Sequence, residues 1–306
     1  MKLINVILII FTVSSQPVRS NSETLPEYQP ILEYVEKVGQ SEALNLLSGQ
    51  CPRQDLGSNA DLLGRSPDDS CLYDSDKTWL WVVLRTFGQN SSRPAAIESL
   101  VNINEVFNLY KADFHAEFPS VDPSLKDLPK LHGRDQFWDR VAVGREKTKH
   151  RNRLNDADLF TFGNLVQMEK YKIYVQNQRI LEKLVSIHGW PKWSVYGKKV
   201  SLTAWLITQH SDHNVAFQKK ALSLMKPLAQ SGETSKSDYA YLYDRVLTNT
   251  EGKTLYGTQL VCVNGKYQPR NVIDPEGLAE RRKEYELGPI EEYLQSTLEF
   301  SGGRCG

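Results

Sequence analysis

The chain has 306 residues, 40% of them hydrophobic, and its 37 Lys and Arg are balanced by 37 Asp and Glu. A net charge of zero argues against nucleic acid as the main partner, because that affinity rests on excess basic charge meeting phosphate. The four cysteines include no Cys-x-x-Cys pair, which argues against a thiolate zinc cluster.

The first twenty residues read as a secretory signal peptide. Lys2 gives a positive start, Leu3 to Val13 form a short apolar run, and small residues lead to cleavage just before Asn21. The run is shorter than the roughly 20 apolar residues a bilayer span takes. No later stretch approaches that length, so the mature chain is expected to be secreted or extracytoplasmic, with no membrane span after cleavage. In that compartment the cysteines should pair. Cys51 with Cys71 is the local choice, which leaves Cys262 for Cys305; the connectivity stays open among three possibilities. Asn90-Ser91-Ser92 is the one glycosylation sequon.

An N-terminal segment, residues 21–128, should be helical with a disulfide-tied loop. Pro26 opens a helix through Val38, continued or restarted over Ser41 to Leu47, and Gln50 to Asp76 is rich in loop-forming residues. Trp79 to Phe87 is apolar and should be buried. Pro94 opens a helix with Ile97, Leu100, Val101, Val106, Phe107 and Tyr110 on one face. Pro119, Pro123 and Pro129 read as a linker or domain boundary.

The C-terminal domain, residues 129–306, should be helical with a late β-hairpin. Asp135 begins a polar-aromatic helix, and the basic stretch Arg145 to Arg153 reads as a solvated helix end or loop. A long helix spans Met168 to His188, stopped by Gly189 and Pro191. Leu202 to Met225 forms a helix or helix pair, and Tyr239 to Val246 a shorter helix. Asn264-Gly265 between short apolar runs predicts the hairpin turn. Pro275 to Tyr285 and Pro289 to Leu298 close with two helices. The fold class is therefore mainly α with a small hairpin.

Chemistry concentrates in two places. In Gln209-His210-Ser211-Asp212-His213-Asn214 the two histidines, three apart, would share a helix face. With Asp212 and a carboxylate such as Asp244 they could hold a metal. The full ligand set is missing, however, so no metal site is assigned; a helix end capped by these side chains is the favoured reading. The second place is Tyr243-Asp244-Arg245 followed by Tyr256-Gly257-Thr258-Gln259, where strand-like alternation would point Tyr256 and Thr258 one way and Gln259 the other. Together they suggest a polar pocket. His210 would act as acid or base, Asp244 would orient it, and Gln209, Asp212, Arg245, Tyr256 and Gln259 would bind substrate. A buried structural network joining helices to the hairpin is the competing reading. Gly189-Trp190-Pro191-Lys192-Trp193 is expected to be a helix stop whose tryptophans pack on the core, with an aromatic shelf for a sugar or peptide as the alternative.

The ordered motifs Asp135-Gln136-x-x-Asp139-Arg140, Asn177, Gly189-Trp190-Pro191, Trp205-Leu206 with Gln209-His210-x-Asp212, Asp244-Arg245-Val246, Tyr256-Gly257-Thr258-Gln259, Asp274-Pro275 and Arg281-Arg282 resemble an uncharacterised, mainly bacterial family catalogued only as a domain of unknown function. The likeness spans about residues 131–298. It implies that Gln209, His210, Asp212, Asp244, Arg245, Tyr256 and Gln259 sit together; His213 is not part of the pattern. The family carries no established activity, so the resemblance supports the site and not a reaction. The expectation is a secreted protein of hydrolase type or, alternatively, a non-catalytic module for a small anionic or peptide ligand. The cofactor is open.

Overall fold

The computed structural model describes residues 86, 93–119, 124–142, 150–303 and 305. The expected leader, the helices expected before residue 50, the expected Cys51–Cys71 loop, the Asn90 sequon and most of the Trp79–Phe87 run lie outside the described residues. The described residues are mainly helical and include a two-stranded antiparallel hairpin late in the sequence. The chain divides into two compact units, and among the described residues it passes between them at 119/120, 135/136 and 172/173.

The first unit holds α1 (Arg93–Glu117), the second half of α2 (Leu128–Ala142) and the first half of α3 (Asp156–His188). Pro94 sits in the opening turn of α1, where its missing N–H costs no helical bond. Of the face expected on α1, Leu100, Val106, Phe107 and Tyr110 are buried with Trp138 and Phe162, while Ile97 and Val101 are half-buried and Ile103 joins the core in their place. Trp138 lies 5.9 Å from Phe107 and 5.7 Å from Phe114, within the range of favourable ring pairs. Helix α3 begins twelve residues before the expected Met168, because Asn155 caps it. The Asn155 side chain accepts from the Asp158 N–H at 2.9 Å and donates to the Asp158 carboxylate at 2.9 Å. The end of the basic stretch is not simply solvated: His150 reaches Asp113 at 2.9 Å and Arg151 donates to the Val141 carbonyl at 3.0 Å.

The second unit holds residues 124–135, the rest of α3, and everything after it. Helices α4 (Trp193–Tyr196), α5 (Lys198–Gln209), α6 (Val215–Gln230) and α7 (Lys236–Glu251) follow. Then come β1 (Leu260–Val263), β2 (Lys266–Pro269), α8 (Leu278–Glu284) and α9 (Ile290–Phe300). Helix α2 starts at Leu128, seven residues ahead of the expected Asp135. Pro129 therefore lies in its first turn, where proline is tolerated, and is not a linker residue. One apolar core joins Leu131, Leu181, Trp190, Ile207, Phe217, Met225 and Leu242. Trp190 is thus core, as expected at the helix stop, whereas Trp193 is half-buried and stays outside that core. The Leu202–Met225 stretch is a helix pair broken at residues 210–214. Helix α7 is longer than expected, because Ser235 caps its start and Gly252, at φ +69°, ends it.

Asn264 and Gly265 turn the hairpin with φ of 50° and 74°, the left-handed pair that such a tight turn requires. A disulfide joins Cys262 of β1 to Cys305. Closing a loop with a sequence separation of 43 is worth about 4 kcal/mol in the chain-entropy picture. No helix among the described residues is long and apolar enough to cross a membrane.

Candidate functional site

The residues expected in one pocket resolve into three arrangements, all in the second unit. The first surrounds Asp135. Its carboxylate is fully buried, and its Oδ2 lies 2.8 Å from Nδ1 of His210. Its Oδ1 faces Nδ1 of His132 at 3.0 Å, one helical turn away. That approach lacks the alignment of a hydrogen bond, so Oδ1 and His132 Nδ1 have no hydrogen-bond partner among the described residues. The side chains of His132 and His210 are 20% and 25% exposed against 1% for Asp135, so the carboxylate is enclosed while both imidazoles reach solvent. Burial alone would push the Asp135 carboxyl up; the two imidazoles beside it outweigh that and hold it below its ordinary range.

Local structure fixes both flanks. His132 and Asp135 share a face of α2 through their i, i+3 spacing. Asn177 of α3, itself buried, donates to the Leu131 carbonyl at 2.8 Å and ties that turn of α2 in place. His210 ends α5, and its ring stacks on Tyr174 with centroids 4.6 Å apart. The helix stops there because the next residues satisfy it differently. Ser211 donates to the Ile207 carbonyl, and Asn214 caps α6 by accepting from the Phe217 N–H. Since His210 and His213 straddle this break, they do not share a helix face. His213 instead approaches Gln178 at 3.4 Å, and burial pushes its pKa down to about 4.

The second arrangement braces that turn. Arg245 of α7 grips Asp212 through Nε at 2.8 Å and through Nη2, and Asn249 donates to the same carboxylate at 3.0 Å. Buried Gln218 links the Asp212 carboxylate to the Thr208 carbonyl. Gln209 is buried too. With its amide oxygen turned toward α7, it accepts from Trp205 Nε1 at 3.3 Å and from the Leu242 N–H at 3.1 Å.

The third arrangement is built on Asp244, and it replaces the strand expected over residues 256–259. The fully buried carboxylate accepts from the backbone N–H groups of Leu255, Tyr256 and Thr258 and from the Thr258 hydroxyl, at 2.6 to 3.1 Å. The chain wraps around it as a loop. Arg282 and Arg281 close the other side by donating to the Tyr256 and Leu255 carbonyls. Gly257 holds φ +66°, and a Cβ there would meet Pro269 at 3.4 Å. Tyr256 is buried with its ring 4.8 Å from Tyr285, and burial raises its pKa. Gln259 is half-buried, and its carbonyl accepts from the Arg270 N–H.

The carboxylate beside His210 is therefore Asp135 and not Asp244, whose oxygens are saturated by the loop. Adjacent Asp244 and Arg245 anchor different structures because consecutive helical residues point about 100° apart. Sequence reasoning quoted Asp135 as a motif residue without giving it a role, and it missed His132. The available signal was His132-x-x-Asp135, hidden by starting α2 at Asp135.

A family model described as a family of unknown function (DUF6624) matches residues 150–303, just over half of the 306-residue chain. The chain belongs to this family. His210, Asp212, Asp244, Arg245, Tyr256 and Gln259 fall inside the matched segment, whereas His132 and Asp135 precede it. No curated protein and no solved structure matches the chain.

Proposed function

We propose that the protein is an exported, hydrolase-type enzyme whose working centre is the Asp135–His210 pair. The observation that carries this reading is a buried carboxylate 2.8 Å from one nitrogen of an imidazole whose ring still reaches solvent. With Nδ1–H donated to Asp135, Nε2 is the proton acceptor, and the carboxylate stabilises the imidazolium that forms. Water would lose its proton to Nε2 while its oxygen bonds the electrophilic centre; Nε2 would then return the proton to the leaving group. Export is supported by the signal-like first twenty residues and by the Cys262–Cys305 disulfide, a feature of oxidising compartments.

The test is a panel of ester, peptide, glycoside and phosphoester substrates with wild type beside His210→Gln. Losing a general base costs about 10²- to 10⁴-fold in kcat. The expected result is that loss on at least one substrate, with KM and thermal midpoint nearly unchanged. Ligand binding without turnover on any of them would replace this reading with a non-catalytic module for a small anionic or peptide ligand.

A further inference from the structure

We propose that His132, Asp135 and His210 form a binding site for a divalent first-row transition-metal ion, with Zn2+ the ion that fits an exported hydrolase. Three observations carry this. The ligand atoms offered by these side chains all lie within 4.8 Å of one another. The two closest pairs are 3.0 and 2.8 Å apart. Donors 2.0 to 2.2 Å from a tetrahedral zinc sit about 3.3 Å from each other, so seating the ion spreads the close histidine–carboxylate pairs and draws the most distant donors, within 4.8 Å of one another, closer together. The third observation is the unsatisfied pair, Asp135 Oδ1 and His132 Nδ1, buried and turned toward each other without a hydrogen bond. A buried carboxylate oxygen without a donor is costly, and a cation between the two atoms removes that cost.

The donor set narrows the ion. Two imidazole nitrogens and one carboxylate suit Zn2+, Co2+, Ni2+ or Fe2+; Mg2+ and Ca2+ prefer all-oxygen shells. Three protein ligands leave a fourth position open, the pattern of catalytic rather than structural zinc. The surrounding residues resemble an outer shell: Asn177 fixes the ligand-bearing turn of α2, and Tyr174 holds the His210 ring. The site deepens the hydrolase reading and shares its centre. With the ion bound, the proton between His210 and Asp135 would be released to solvent and His210 would serve as a ligand instead of the base; the ion would lower the pKa of a water at the open position, which would give its proton to bulk solvent and supply the nucleophile.

The experiment titrates Zn2+ into the metal-stripped, disulfide-bonded protein against a chromogenic zinc chelator. It compares wild type with His132→Gln, Asp135→Asn and His210→Gln, with exposed His188→Ala as control. Outer-shell changes cost about 10- to 100-fold in metal affinity, so each ligand variant should lose more than about 100-fold. His188→Ala should bind like wild type, and only proteins that bind should gain thermal midpoint with zinc. Circular dichroism of each variant separates lost ligation from lost folding.

One zinc per chain in wild type, lost in all three folded variants, is the expected result. No stoichiometric zinc in wild type overturns the site, as does binding that survives all three substitutions or vanishes with His188→Ala. The two readings fail separately. Turnover that needs His210 in metal-free protein leaves the hydrolase standing without the ion. Stoichiometric zinc with no turnover leaves the metal site standing without the hydrolase.

Discussion

Asp135 and Asp244 are both fully buried carboxylates, yet they are compensated in opposite ways. Asp244 is saturated by three backbone N–H groups and a hydroxyl, all from one loop. Asp135 faces two imidazoles, with one oxygen short of a hydrogen bond. Backbone donors cannot leave, titrate or exchange for a ligand, so Asp244 belongs to the scaffold. Imidazoles can give up a proton or bind a cation, so Asp135 is where chemistry can happen. The difference lies in the donors and not in the burial, which is the same for both.

The sharpest way to break this comparison is to neutralise each carboxylate. Asp244→Ala leaves at least three backbone N–H groups without their acceptor, each costing about 1–3 kcal/mol when buried. A loss of about 3–5 kcal/mol is expected in urea denaturation, together with loosening of the 254–259 loop in hydrogen exchange. Asp135→Asn keeps the shape and should cost less than about 1.5 kcal/mol, the net worth of an ordinary hydrogen bond, while removing turnover or metal binding. Equal destabilisation by the two changes would erase the distinction.

A smaller effect tests whether the loop is wound as tightly as Asp244 implies. Gly257→Ala forces a side chain into the left-handed region at φ +66° and presses its Cβ against Pro269 at 3.4 Å. The expected cost is about 1–2 kcal/mol, mostly backbone strain. A neutral result in chemical denaturation would mean that the loop has room to relax away from the Asp244 cradle.

How much of this was legible in the sequence follows from range. The helix stop at Gly189 and the hairpin at Asn264-Gly265 rest on neighbours a few positions apart, and they appear in the structure where they were read, whereas the break at residues 210–214 inside the Leu202–Met225 stretch was left open. Helix starts at Leu128 and Asp156 were missed because Pro129 was taken as a boundary and the Asn155 cap went unread. The site was half legible. His210 stood out by its polar context, but its partner lies 75 residues away, a separation that no local pattern encodes. Asp244 looked like that partner because it neighbours Arg245 in a conspicuous motif, whereas the motif exists to close a loop. A resemblance to a family can mark residues that sit near one another without saying which of them touch.

The finest test uses a third carboxylate as a reference point. Asp238, partly exposed near the start of α7, has neither a cradle of backbone donors nor an imidazole beside it. Burial pushes its pKa up to about 6, and a hydrogen bond with Ser235 offsets only part of that. The unfolded carboxyl titrates near 3.8, so between pH 4 and 6 the folded protein holds a proton that the unfolded chain has released. Stability from this group therefore falls as pH rises through that window: the penalty is absent below about 4 and complete above about 6. Asp238→Asn mimics the protonated form. It should match wild type near pH 4 and exceed it by about 1 kcal/mol at pH 8, allowing for solvent at the exposed edge. Urea denaturation at the two pH values reads this directly. A gain present at both would mean that Asn improves the helix start itself. No gain at either would mean that water already solvates the charge, and that burial of a carboxylate here is compensated more cheaply than at Asp135 or Asp244.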